Sequence, residues 1–529
     1  MAANIDALAS YENEEYHNVI PSALPVSRPG SSSQSSDERT PLLSASETLV
    51  GRRKKKREVE RTPLPLVQIG VLLFLQLSEP VTSQAIYPFI NELIKNMDIT
   101  GGDERRVGYY AGLVESIFFA SEALTVLYWS HLSDFVGRRP ILLLGFAGLS
   151  LSMIGFGLSK TFMMLIISRS LAGLLNGNSG VIKSMMGEMT DYTNMAQAFA
   201  YMPVVWSVGA TIGPFIGGQL SRPADRFPHL FSAHFWKMYP YFLPCVVAAI
   251  FPISAFILVL IYLKETAFNP NTKNRDESSC ATSVSETATI ASSHLEEQSS
   301  IEELDAETPP PTIRSILTRR VLLAVLNYAL LSFLDIAFLA VQPLFYATSI
   351  PLGGLGLSPA TIGLCLGIYG ILMGTFQAFF FAKFHDWLGS KKLLMLALSF
   401  NFPIFALFPV INLLARKYGT GYVTWAALGF QLCLCVFSDM SWGCAFIFLT
   451  ISSPNKRSLG ATNGLAATVS AAMRSIGPAA TTSLFAASIQ HNLYHGLLVY
   501  VVLVGTVVAA LLAASLLPAK EEEWENRVE

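Results

Sequence analysis

The feature that most constrains this chain is the recurrence of apolar runs, each near the ~20 residues that a helix needs to cross a bilayer. They fall at about 66–90, 107–129, 141–159, 162–184, 196–219 and 239–263, then at 321–348, 359–382, 392–414, 421–451, 459–487 and 496–517. One such run could be a buried helix of a soluble core. Twelve in 529 residues cannot, because soluble cores stop growing at roughly 250–300 residues. Composition agrees: 52% of residues are hydrophobic and 14% charged, against about 25% charged in soluble chains. In lipid such runs must be helices, since hydrocarbon offers backbone groups no other partner. The expected fold is all-α and integral to a membrane, with twelve transmembrane helices, numbered here as spans 1–12.

Polar segments divide the runs. Residues 1–63 read as a disordered tail, 64–263 as a first six-helix bundle, 264–318 as a disordered linker containing Pro309-Pro310-Pro311, 319–517 as a second bundle and 518–529 as a C-terminal tail. No secretory signal peptide is expected, because the first apolar run begins only near Leu64. The tails and the loops on their side hold 24 Lys or Arg, the opposite loops 9. The positive-inside rule therefore predicts that both termini are cytoplasmic. A net charge of -2 gives no reason to expect a nucleic-acid partner. Of six cysteines, five lie in apolar runs and read as small hydrophobes. Cys433-x-Cys435 lacks zinc-site spacing, and neither a metal nor an organic cofactor is expected.

The two bundles repeat one another. Asp134-x-x-Gly137-Arg138-Arg139 follows span 2, and Asp386-x-x-Gly389-x-Lys391-Lys392 follows span 8, with the aspartates 252 positions apart. Gly213-Pro214 in span 5 has its counterpart in Gly477-Pro478 of span 11, at an offset of 264. Glu79 and Pro88 in span 1 correspond to Asp335 and Pro343 in span 7, at offsets of 256 and 255. Four landmarks in one order predict two pseudo-symmetric halves.

In the stretch Ser130 to Pro140, read as a short cytoplasmic loop, an aspartate can cap a helix or pair with a neighbouring cation. Gly137 allows a tight turn, and the arginines reach carboxylates or lipid phosphate. Glu122 is the expected partner of this loop. The stretch resembles the signature of the major facilitator superfamily, G-x-x-x-D-x-x-G-R-[RK], with Ser130 in place of the leading glycine. Arg169 with Gly173 in span 4 is similar to the family's R-x-x-x-G element, implicated in proton transfer in proton-coupled members. Gly209, Gly213, Pro214, Gly217 and Gly218 in span 5 resemble the signature of drug–proton antiporters. Ser78-Glu79-Pro80 and Gly108-Tyr109-Tyr110-Ala111-Gly112 resemble the zinc-induced-facilitator-like branch of fungi and plants. The resemblance covers about residues 64–517 and implies the twelve-helix major facilitator fold. Read without any family, the span 5 element allows close helix approach at its glycines and a bend at Pro214.

An ionisable group at the bilayer centre costs about 2.5–3.5 kcal/mol on insertion scales, so those within spans mark a solute or ion path. The candidates for transport or proton coupling are Glu79, Glu115, Arg169, Asp335, Asp439 and Arg474; the competing reading makes them ion pairs that hold helices together. Asp134, Gly137, Arg138 and Arg139, with Asp386, Gly389, Lys391 and Lys392, are the candidate cytoplasmic gate. Glu38-Arg39-Thr40-Pro41-Leu42-Leu43 resembles an acidic dileucine sorting signal, with Glu38, Leu42 and Leu43 as its key residues. It would engage a sorting adaptor and direct the chain to a vacuole- or lysosome-like membrane, the plasma membrane being the other expectation. The basic run Arg52–Arg57 suits anionic cytoplasmic lipid.

No G-x-x-x-x-G-K-[ST] phosphate loop, H-E-x-x-H or G-x-S-x-G occurs, which argues against an ATP-driven pump or a membrane enzyme. The leading expectation is a secondary transporter, functional as a monomer, that exchanges a small organic solute for protons by alternating access. A symporter or uniporter for a nutrient or metal chelate is the alternative, and a non-transporting sensor a further one.

Overall fold

A backbone surrounded by hydrocarbon must close its own hydrogen bonds, and in the computed structural model each apolar run does so as helix. The structure describes residues 63–190, 194, 198, 201–263, 317–453 and 459–518. The tails and the linker, with the dileucine motif at Glu38, Leu42 and Leu43, lie outside these apart from a residue or two at their edges. Among the described residues the twelve spans are Leu66–Gln84, Val107–Val136, Arg138–Gly157, Phe162–Leu175 with Asn178–Glu188, Met202–Gln219, Phe242–Tyr262, Arg319–Ala347, Pro359–Leu388, Ser390–Ser399 with Asn401–Tyr418, Tyr422–Ser438 with Met440–Ser452, Leu459–Gln490 and Leu498–Ser515. Alternating crossings bring Leu66 and Ser515 to the same face, the tail face; the other is the distal face.

Eight of these spans are long and apolar enough to cross a membrane on composition alone. The other four, spans 2, 4, 5 and 11, carry Glu115, Glu122, Arg169, Lys183, Arg474 and the glycine-rich stretch of span 5. Their polarity suits a place among other helices rather than against lipid.

The helices depart from the expected spans where local chemistry forces them to. Span 1 ends at Gln84 and gives way to a turn before a short helix, Ile90–Lys95. Pro88 has no N–H to donate, and its ring conflicts with the carbonyl four residues back. Span 4 breaks at Asn176 and Gly177. Its upper part is held by Gly173, which lies against the Phe118 carbonyl with no room for a Cβ. Spans 2 and 8 run almost two turns past their expected ends, to Val136 and Leu388. The Asp134 and Asp386 positions are therefore helical, and the connection to the next span is a single glycine. Gly137 at φ 108° and Gly389 at φ 74° make those turns, in a region of backbone space that costs a Cβ-bearing residue.

The first and last six spans meet chiefly through span 2 against span 11 and span 5 against span 8. Small residues permit this. Gly108 and Gly112 of span 2 lie on Thr482 and Pro478 of span 11, while Gly218 of span 5 faces Pro359 and Gly363 of span 8. Hydrogen bonds cross the same seam from Tyr109 Oη to Gln490 (3.3 Å), Ala479 N to Ser116 Oγ (2.9 Å), Gln219 Nε2 to the Ala360 carbonyl (3.0 Å) and Ser207 Oγ to the Gly370 carbonyl (2.9 Å). Near the loops, the Ser349 N–H donates to Glu104 at 2.9 Å. These contacts run from the middle of the molecule to the distal face, which they close.

Candidate functional site

Where spans 2 and 11 begin to part, charged groups from both halves converge. Glu79 of span 1 has Lys183 of span 4 and Arg474 of span 11 as charged neighbours, and the Asn176 amide faces it. Glu122 of span 2 accepts a hydrogen bond from Asn176 Nδ2 at 2.9 Å and shares those two cations. Asp335 of span 7, in the same half as Arg474, faces it beside Trp442. Asp439 of span 10 accepts a hydrogen bond from the Tyr369 hydroxyl at 2.6 Å and faces Asp335. Among the described residues, none of these charged groups is ion-paired within 4.0 Å. The alternative of direct structural ion pairs therefore lacks a geometric basis here. Arg474 is instead held by rings, its guanidinium carbon 5.9 Å from the Phe119 centroid and 5.7 Å from that of Trp206.

Sequence reasoning missed Lys183 and Asn176. Lys183 fell at the edge of the expected span 4, but the helix continues to Glu188 and leaves the lysine exposed within its second half. A lysine flanked by Val181, Ile182, Met185 and Met186, all buried, is the signal that could have found it. Asn176 matters because the helix breaks there, which residue type alone does not announce.

Two small cavities flank the centre. In the first half, Arg169 with Thr82, Ser83, Ser152 and Ser168 lines about 10 Å³, close to the room needed for one water. The Arg169 guanidinium lies 4.5 Å over the Phe118 ring, and Glu115 is its carboxylate neighbour. Both are buried, and Arg169 Nε and Glu115 Oε1 lack hydrogen-bond partners among the described residues. In the second half, Asp335, Asp439, Tyr369, Asn401, Phe338 and Trp442 line about 20 Å³.

The candidate gate motif makes a set of contacts at the tail face. Arg138 pairs with Glu188 at 2.8 Å and also donates to Ser133. Glu122 is thus not the partner expected for this loop: it points to Asn176, while the lower part of span 4 supplies the carboxylate. Arg139 donates to the Leu260 carbonyl at 2.6 Å, at the end of span 6. Its counterpart Lys391 donates to the Ser515 carbonyl at 2.8 Å and to Leu517, at the end of span 12. The Asp134 side chain lies outside what the structure describes. Asp386 is exposed, 3.7 Å from the His385 ring nitrogen, and Lys392 is exposed beside Lys391.

The span 5 motif is a packing surface. Gly209 abuts Pro80, Gly213 the Val81 carbonyl and Gln84, and Gly217 the Ala85 carbonyl, so a stripe spaced four residues apart receives span 1. Gly218 turns toward span 8, and the Pro214 carbonyl lies against Gly363. Glu79 and this stripe are therefore mechanically joined through Pro80.

Comparison with known proteins matches this arrangement. Residues 72–478 fit the model of the Major Facilitator Superfamily. The chain is 30% identical to the major facilitator-type transporter psiT2 of Psilocybe cyanescens, over 88% of its own length and 93% of the relative's. It is 28% identical to the efflux pump azaK of Aspergillus niger (93% and 97% covered) and 28% identical to ZINC INDUCED FACILITATOR 1 of Arabidopsis thaliana (80% and 85% covered). The crystal structure of a D-xylose–proton symporter superposes with a TM-score of 0.61 at 15% identity, over 86% of this chain and 98% of that one, and so shares the fold. A family model spanning most of the chain, a twelve-helix architecture and full-length relatives that are transporters lead to one conclusion: this chain belongs to the Major Facilitator Superfamily and is a multi-pass membrane transporter, not an enzyme.

Proposed function

We propose that this chain exports a small organic solute, a xenobiotic or secondary metabolite, in exchange for protons. The observation that carries this reading is the set of charged groups from six spans that meet at the seam of the two halves with no direct ion pair among them. Carboxylates at such a depth that no cation pairs directly are candidates to take up and release protons. Trp206, Trp442, Tyr328 and Tyr369 supply faces on which an aromatic or cationic solute can rest. Similarity to an efflux pump supports the outward direction.

The cycle is alternating access. With both termini cytoplasmic, the closed distal seam makes this an inward-facing state, ready to load solute from the cytoplasm. Rocking about the centre would break the distal seam and close the tail face. Glu79 and Asp335 then carry protons for the two halves, with Arg169 and Glu115 as an internal polar reserve.

Reconstitution with a pH-sensitive dye inside the liposomes tests the proposal against a panel of aromatic and amphipathic solutes. A transported solute should drive proton movement in the opposite direction. Glu79→Gln and Asp335→Asn should each abolish that movement in protein that remains monodisperse. Undiminished exchange in both variants overturns the assignment, and solute flux without proton movement overturns the coupling.

A further inference from the structure

Arg474 belongs to span 11, yet both rings that hold it belong to the opposite half: Phe119 on span 2 and Trp206 on span 5. Those two spans are the ones that close the distal seam, span 2 on span 11 and span 5 on span 8. Arg474 lies one turn toward the tail face from Pro478, the residue that packs on Gly112, so it sits at the inner end of that seam. Its charged and titratable neighbours also come from both sides: Glu79 and Glu122 from the first half, Tyr328 and Asp335 from the second. It has no hydrogen bond or ion pair to any described residue. A guanidinium gripped by rings on one half and anchored to the backbone of the other is stretched whenever the halves separate at the distal face.

We infer that Arg474 is a positioning residue that latches the distal face shut, its planar cation seated between the rings of Phe119 and Trp206. The rings bind it without consuming its N–H groups, so the grip does not commit the carboxylates of either half. Opening the distal face withdraws the guanidinium from both rings at once. This rests on the alternating-access reading and is independent of the coupling ion.

The latch is tested by distance measurement between spin labels carried on p-acetylphenylalanine at positions 225 and 422, in the full-length chain with its native cysteines. Asp225 and Tyr422 are exposed on the distal face of opposite halves. The wild-type chain should show a predominant short distance. Arg474→Gln should raise the ratio of long to short by roughly five- to thirtyfold, the range expected for losing desolvated cation–ring contacts. Phe119→Leu and Trp206→Leu should act in the same direction. Combining either with Arg474→Gln should add little, because the contact is already gone. Arg474→Lys, which keeps the charge but not the flat face, should fall between. If Arg474→Gln does not fold, the ring variants and Arg474→Lys carry the same test. An unchanged ratio, or full additivity of ring and arginine variants, overturns the latch. If no variant produces a long-distance population, alternating access about this seam fails with it.

Discussion

At Gly217 the packing of span 5 on span 1 depends on one missing methyl group. Its Cα lies so close to the Ala85 carbonyl that a Cβ cannot be placed without moving one helix off the other. Overpacking of this kind costs about 1–3 kcal/mol. Gly217→Ala should therefore lower the melting temperature of the detergent-solubilised protein, while Gly187→Ala, whose added Cβ meets open space, should leave it unchanged or raised. Equal melting for the two variants would remove the packing account of the motif. Residue type made Glu79, Asp335, Asp439, Arg169 and Arg474 legible in the sequence, because a charge inside an apolar run stands out against its neighbours. Lys183 was hidden for the opposite reason: its run fades into the polar stretch after Met186, so the expected span stops at 184 and leaves the lysine at its edge. Which charge faces which was not legible at all. Asn176 joins Glu122 across 54 positions and Arg138 finds Glu188 across 50, and helical periodicity within one span is silent on partners in another.

Helices of this chain are marked by their ends and breaks more than by their middles. Two of the breaks coincide with candidate site side chains: Asn176 stands at the break of span 4 and Asp439 at the joint of span 10, while Glu79 precedes Pro80 within an unbroken span 1. Backbone irregularity is tolerated at membrane depth where protein or a polar cavity satisfies it, so such positions are also where polar side chains can stay. The halves repeat this logic at the tail face. Arg139 covers the last carbonyls of span 6 and Lys391 those of span 12, a cation at the negative end of each helix dipole, worth about 0.3–1 kcal/mol. Arg139→Ala should speed hydrogen exchange in the final turn of span 6 and leave span 12 alone. Lys391→Ala should do the reverse. Exchange that spreads to both ends, or to neither, would show that the two contacts are not caps. The sequence repeat made this symmetry visible through Gly137 and Gly389. It did not reveal that spans 2 and 8 continue as helix to the glycine, because a polar, charged segment reads as loop when no lipid boundary is drawn.

For the molecule as a whole, the seam decides what can move. Close contact along spans 2 and 11 and along spans 5 and 8 uses glycine, serine and threonine, whose small surfaces give up little when separated and whose hydrogen bonds can re-form with water. An aliphatic seam of the same length would resist opening more strongly. This choice suits the proposed alternation between two packings of similar free energy. A reversible lock across the seam should then stop the cycle without disturbing either half. The Gln219 side chain reaches the Ala360 carbonyl across spans 5 and 8 at the distal face, and cysteines there should be joined by a reducible bis-methanethiosulfonate long enough to span the shortened side chains. Flux of any solute transported in the liposome assay should fall to background and return with reductant. Cysteines replacing Glu92 and Arg222, whose side-chain ends lie 2.8 Å apart within the first half, should leave flux intact when bridged by the same reagent, since that pair moves as one body. Transport that persists with the distal seam bonded would mean that this seam need not open for solute to cross. The exit path would then have to be sought on another side of the molecule.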